Sequence, residues 1–504
     1  MPKMSLNKKA AELPKRSVAI LLLISMLSGS MVSCSESPVQ ETGKETQSAD
    51  TSAAVADTLA EETKPDAMAH LGEKNFEGRD FVVLGAGPGS GEWQNFEILA
   101  ETVTGEPIND AVYERNTFIN ETYNVKLVAL DQDGHGTAFR NAVLSNTDDY
   151  QASMYSVNSA TSLAMEGILY DFCDLPVVDL TADWYDQNAN ESLSVANRLY
   201  FSFGDMNLQN LDLTWCVMFN KQLAGDHQIG DVYSLVENNE WTMDKMIELS
   251  TGITKDLNGD GKMDNNDYYG ASTTLARTAM AFMYAAGIRF VDKDANDYPV
   301  YKPLEEISYN VFSDVLRFYY TDNILCNLDR LSGTWRTAET MFMNNQFLFY
   351  IECMQNLSRF REMEVDFGVV PMPKYTADQE EYISMVCDFP SALVIPAYCM
   401  DPDFTGFMVE AINAKSSETV RPTYVDKCLM YKYSRDEESG GMLEIILDTM
   451  YYDPAYIYAW GGLTDTIGLL VSKNYDMLAS QAKSIDKKMQ KDLEECVEAY
   501  KKNQ

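Results

Sequence analysis

The chain has 504 residues, of which 45% are apolar and 11% aromatic, and its formal net charge is −38 at pH 7. That apolar share builds packed cores, and the length behind a leader and tether suffices for two or three of domain size. So negative a field repels phosphate backbones and anionic lipid, which excludes nucleic acid as a partner and leaves a neutral or cationic ligand compatible.

At the N-terminus Lys3, Lys8, Lys9, Lys15 and Arg16 precede the apolar run 18–27, VAILLLISML. A basic stretch followed by a short apolar one is a signal-peptide pattern, too short for a comfortable permanent span. Met31-Val32-Ser33-Cys34 follows and resembles a bacterial lipobox, with Met31 where leucine is usual. Residues 1–33 then read as a lipoprotein signal peptide and Cys34 as the acylated first residue of the mature chain. The alternative is an ordinary secretory signal with a chance cysteine. Lipidation puts the folded part on the extracellular face of the cytoplasmic membrane, held by the lipid anchor only. Residues 34–76 are acidic and nearly devoid of branched apolar and aromatic side chains. Such a segment buries too little surface to offset the entropy of ordering and is expected as a disordered tether.

The strand 81–84 (FVVL) runs into Gly85-Ala86-Gly87-Pro88-Gly89-Ser90-Gly91. Glycines after a strand also open dinucleotide folds, where backbone approaches pyrophosphate. The next acidic strand end, Asp131, lies at about twice the ~20-residue spacing of that fingerprint, and Pro88 spoils an immediate helix. A glycine-rich loop after the first strand is the reading that remains.

Strand and helix patterns then alternate: RDFVVLG, a helix near 109–121, VKLVAL, ASMYSV, LYFSF, WCVMFN, a helix after Thr242, FLFYIE, FGVVPMP and ALVIPA. Alternation predicts α/β architecture with largely parallel sheets, and two groups of strands predict two lobes. Beyond about residue 400 the pattern is mainly helical.

One segment carries metal chemistry. Asp256, Asn258, Asp260, Asp264 and Asp267 occupy positions 1, 3, 5, 9 and 12 of a loop, the Lys262 carbonyl falls at 7 and Gly261 at the sharp turn. A hard cation wants six to eight oxygens from a tightly curled backbone, so the loop is expected to hold a structural calcium ion. A run of Asx turns without an ion is the other reading. Elsewhere ligands are scarce. The chain has three histidines (His70, His135, His227), which excludes sites built on several imidazoles and leaves no nucleophile context for a triad. Eight cysteines follow Cys34, none in a CxxC pair, and several sit in apolar runs as small core residues.

In order along the chain stand GEPINDAVYERN (105–116), LYDFCDLPVVDLTADWYDQN (169–188), LYFSFGD (199–205), FNK (219–221), EWTMDKM (240–246), the calcium-like loop with YG (269–270), and DFGVVPMPKY (366–375). With this ordered set the chain resembles the extracellular solute-binding proteins of ABC importers, specifically the carbohydrate-type (family 1) lipoproteins of Gram-positive bacteria. The resemblance implies a two-lobed periplasmic-binding-protein-like fold of type II, with hinge-crossing strands and a ligand cleft between the lobes. By position the crossings fall at 201–205, 349–353 and 395–398. Lobe 1 is then 77–204 plus 353–396, and lobe 2 is 205–352 plus 397–504. It further implies capture of a mono- or oligosaccharide by a monomer that delivers it to the transmembrane permease subunits, with no catalysis.

A pyranose presents C–H faces to aromatic rings and hydroxyls to acids and amides. Trp184 and Tyr185, with Asp186 beside them, lie where the family often carries paired aromatics. Trp335, Trp460 and the hinge acids Asp205 and Glu352 complete the candidate ligand residues, whereas Trp241 reads as structural. The rival functions are a glycan-cleaving surface hydrolase and a lipoprotein presenting its ligand to a sensor kinase.

Overall fold

Branched and aromatic side chains at 79–86 form the first strand of the computed structural model, which describes residues 66–273, 275–321, 324–327, 335–433 and 436–503. Cys34, the signal peptide and most of the tether lie outside the described residues. The strands are β1 (Arg79–Ala86), β2 (Val125–Gln132), β3 (Ala152–Ser156), β4 (Phe201–Ser202), β5 (Trp215–Asn220), β6 (Tyr269–Thr273) and β7 (Val291–Lys293). They continue with β8 (Pro299–Tyr301), β9 (Leu325–Asn327), β10 (Phe347–Cys353), β11 (Phe367–Val370), β12 (Ser384–Met385), β13 (Ser391–Val394) and β14 (Met450–Tyr451).

Two five-stranded sheets organise the chain, one in the order β2-β1-β3-β13-β4 and the other β11-β5-β10-β6-β9. β1 runs parallel to β2, from Arg79 opposite Val125 to Ala86 opposite Gln132, and parallel to β3. β13 joins antiparallel to β3 and β4. In the second sheet β10 is parallel to β6 and antiparallel to β5, which also pairs antiparallel with β11. The sheets are therefore mixed and not largely parallel. Strand β13, reached by way of the second sheet, enters the first from the opposite end, and periodicity along one strand does not reveal that direction.

The helix Pro107–Tyr123 crosses from β1 to β2, with proline in its first turn and Asn124 at φ 46° ending it. Its Arg115, buried with Asn116, explains much of the 105–116 motif. Arg115 Nη2 donates to the carbonyls of Glu97 and Ile98 at 2.8 and 2.9 Å, and Nη1 reaches Ser416 Oγ at 3.2 Å. The guanidinium thus pins the crossover helix to the loop before it and to the helix Pro402–Glu418. Thr242 caps the helix Met243–Ser250 by accepting from Lys245 N, and Trp241 is fully buried with its indole N–H on the Pro371 carbonyl. Trp241 is structural, as its sequence context indicates.

Three boundaries differ from the sequence reading. Met68 and Leu71 are buried and Phe76 packs edge-on against Phe404 and Phe407, so the folded part includes residues assigned to the tether. β11 pairs with β5, which puts 367–370 in the second sheet although 353–396 was assigned to lobe 1. The chain therefore returns to the first sheet between 370 and 391, and β10, read as a crossing, lies inside the second sheet. The helix Pro402–Glu418 packs on the crossover helix of the first sheet, and only the helical stretch after it reaches β11, so 395–398 is not the last crossing. The two lobe boundaries differ for one reason: a strand's sheet is decided by its partners, which are distant in sequence.

The glycine loop is held by packing. Gly89 N donates to Asp133 Oδ1 at 2.8 Å, and a Cβ at Gly87 or Gly89 would come within 2.8 Å of Asp133 atoms. The Asp133 side chain fills the space against these glycines.

Candidate ligand cleft

Two adjoining hollows open at the C-terminal ends of β1, β3 and β10, and they share Trp93, Arg277 and Phe389. The deeper one contains about 630 Å³ of space and is also lined by Trp215, Glu352, Cys353, Gln355, Asn356, Arg359 and Cys387. Strand ends are a favoured place for ligands in α/β sheets because the loops there diverge. Here residues from both sheets meet: Ala86 and Ser156 close β1 and β3, while Glu352 and Cys353 close β10.

The hollow has an aromatic corner. Trp93, at the end of the glycine loop, meets Phe389 edge-to-face with ring centroids 5.2 Å apart. The Arg277 guanidinium stands over the Phe389 ring at 5.2 Å and donates from Nε to Asp388 Oδ1 at 3.3 Å. Opposite them, Arg359 Nη1 binds Glu339 at 2.5 Å and the Asn356 side-chain oxygen at 3.0 Å. Burial holds the Glu352 carboxyl above the ordinary glutamate range, against the N–H of Cys353, which donates to it at 3.1 Å. Apolar ring faces beside fixed forks and amides provide both halves of polyol recognition: stacking for C–H faces and directional partners for hydroxyls.

Of the residues singled out from sequence, Glu352 lies on this wall. The Trp184 ring stacks on His70 at 5.4 Å, and Tyr185 donates to Glu410 Oε2 at 2.8 Å, so both serve packing around the first sheet. Asp186 caps the helix Gln187–Leu193 through Ala189 N and accepts from Tyr452 at 2.6 Å. Trp460 is buried and stacks on Tyr458 at 4.6 Å, in the helical region away from the hollow. The side chain of Trp335 lies outside the described residues. Asp205 sits 4.0 Å from Arg421 in a separate small hollow with Tyr185 and Asp186, and burial raises its carboxyl to about 7. The sequence reading missed Trp93, Trp215, Arg277 and Phe389. Trp93 had a local signal, an aromatic directly after a glycine loop at a strand end. Phe389 and Arg277 had none.

The 256–267 loop is curled as its spacing suggests. Asp256 accepts from Gly259 N and Gly261 N at 2.7 and 2.8 Å, and Gly261 takes φ 79°. Asp267 is fully buried and accepts from Leu257 N and Asp264 N at 2.9 and 2.8 Å. The carboxylates are turned toward backbone N–H groups, and among the described residues no cluster of three or more His, Cys, Asp or Glu side chains is gathered for a metal.

No protein-family model matches the sequence, and no curated protein matches it. Solved structures do. An ABC substrate-binding protein from Listeria monocytogenes in complex with cycloalternan is similar with a TM-score of 0.53 at 10% identity, over 84% of this chain and 99% of that one. An extracellular solute-binding protein from Staphylococcus aureus in complex with maltose gives 0.54 at 10% identity, over 83% and 98%. A cyclo/maltodextrin-binding protein complexed with maltotetraose gives 0.52 at 12% identity, over 84% and 96%. The chain thus has the two-lobed α/β fold of extracellular solute-binding proteins. At these identities the likeness is one of fold, and the function rests on the cleft itself.

Proposed function

We propose that the protein captures an extracellular mono- or oligosaccharide between its two lobes and delivers it to the permease of an ABC importer. The observation that carries this reading is the Trp93–Phe389 corner facing the polar wall of Glu352, Gln355, Asn356 and Arg359, with residues of both sheets around two adjoining hollows that share that corner. A ligand touching both lobes shifts their population toward the closed form, which is the form a permease can distinguish. Binding without turnover is supported by the lining: Glu352 is its one carboxylate among the described residues of both hollows, whereas glycoside hydrolysis uses a pair across the scissile bond. Among the described residues no helix is long and apolar enough to cross a membrane, and acylation at Cys34 supplies the anchor in this reading. A thermal-shift screen against neutral mono- and oligosaccharides is expected to give a saturable rise in Tm with one saccharide class and no product. A flat response across the screen, in protein shown to be folded, defeats the proposal.

The 256–267 loop is proposed to bind calcium structurally, through Asp256, Asn258, Asp260, Asp264, Asp267 and the Lys262 carbonyl. Rotation of the exposed carboxylates off the backbone would present the oxygens, and the glycines already supply the turn. Millimolar calcium is expected to raise Tm by several degrees over protein in chelator, since an ion bound only to the folded state adds RT ln(1 + [L]/Kd). Superimposable melts with calcium and with chelator would count against the site.

A further inference from the structure

Two thiols on the cleft wall lie within contact of each other. Cys353 Sγ, at the end of β10, is 3.4 Å from Cys387 Sγ, the one thiol–thiol contact among the described residues. They come from different parts of the fold. Cys353 is paired in register with Trp215 of the second sheet. Cys387 lies on the segment returning to the first sheet, where its N–H donates to Leu213 O and, three residues on, Pro390 O accepts from Val157 N. Both line the hollow, so a small reagent entering the cleft meets them although each is buried.

We propose that Cys353 and Cys387 form a redox-active dithiol that closes to a disulfide on reaction with a small disulfide oxidant. The Trp215 indole N–H donates to Cys387 Sγ at 3.1 Å and holds that sulfur beside Cys353. Burial, with Cys387 and Glu352 beside it, keeps the Cys353 thiol protonated. Cys387, which takes the Trp215 hydrogen bond and faces Cys353 Sγ at 3.4 Å, is assigned as the attacking sulfur. It displaces one thiolate from the small disulfide and forms a mixed disulfide. Cys353, losing its proton, then attacks Cys387 Sγ and expels the second thiolate. The protein loses two electrons and two protons, and the oxidant leaves as two thiols. Closure from 3.4 Å to the bond length of about 2.05 Å is a small movement. It staples the returning segment, and Phe389 with it, to the end of β10. The redox state of the pair thereby sets the freedom of the cleft's aromatic corner.

The test uses the full chain, reduced and then exposed to oxidised glutathione, with peptide mapping under non-reducing conditions. The expected product is a Cys353–Cys387 cross-linked peptide, reversible by dithiothreitol. Tryptophan emission should fall on oxidation, because a disulfide beside Trp215 quenches it, and recover on reduction. Neither change should occur in Cys353→Ser or Cys387→Ser. Cys353→Ser should instead hold glutathione on Cys387, whatever its stability, provided its circular dichroism matches the parent. Exposed Cys173 is the internal control for reagent delivery. Glutathione on Cys173 without a 353–387 cross-link would overturn the proposal, as would a cross-link between other cysteines.

Discussion

Replacing Trp93 or Phe389 with alanine is expected to weaken saccharide affinity by about 30-fold or more, while leaving the melting temperature of the unliganded protein within a few degrees. The two rings meet at 5.2 Å and are partly exposed to the hollow, so each offers a face that a sugar ring can cover. Truncating a buried aromatic anchor typically costs about 2 kcal/mol or more of binding, which corresponds to that factor. Phe389 has a second duty, because the Arg277 guanidinium rests on its ring. Phe389→Ala should therefore also loosen Arg277, and Phe389→Tyr, which keeps the platform, should bind within a few-fold of the parent. Isothermal titration with the saccharide found in the screen measures this. Parent-like affinity in both alanine variants would remove the aromatic corner from the site.

The protein should be more stable at pH 5 than at pH 8, and Arg115→Met should destabilise it by about 3–5 kcal/mol, the usual cost of breaking a buried charge network. Burial raises the Glu97 carboxyl from 4.5 to about 7, Asp205 to about 7 and Asp212 to about 6. An acid whose folded-state pKa lies above its unfolded value binds its proton more tightly when folded. The stability it contributes is complete below about pH 4 and is lost as pH rises through about 7. Fully buried Glu97 alone makes a difference on the order of 1–3 kcal/mol across that window. Glu97→Gln should flatten the dependence in part, and urea denaturation at the two pH values reads both effects. Arg115→Met leaves the Glu97 and Ile98 carbonyls without their guanidinium donor. It also leaves Glu97 without its nearby cation. Equal stability at pH 5 and pH 8 would show that these carboxyls are not raised by burial.

Much of the fold was legible because it is written locally. The runs RDFVVLG, VKLVAL, WCVMFN and FGVVPMP became β1, β2, β5 and β11, since short runs of branched and aromatic residues need only a strand's two neighbours. Thr242 capped its helix because a cap spans four residues of contiguous chain, here Thr242 to Lys245. The site was less legible. Paired aromatics at 184–185 and Trp460 looked like ligand platforms, yet Tyr185 and Trp460 are buried and the partly buried Trp184 stacks on His70: a tryptophan's role depends on what lies across from it, which one dimension does not encode. Tyr185 finds Glu410, 225 residues away.

The sequence by itself determined an acidic α/β chain with two groups of strands and a curled loop at 256–267 with calcium-type spacing. These follow from composition, charge and short-range spacing, which physical chemistry reads without knowing partners. Tertiary structure alone decided which strands share a sheet, where the chain crosses between them, and that Trp93, Arg277, Glu352 and Phe389 surround one hollow. The hollow is an intersection of strand ends and loops hundreds of residues apart. Their approach is set by the burial of two whole sheets, so no local window of sequence contains it.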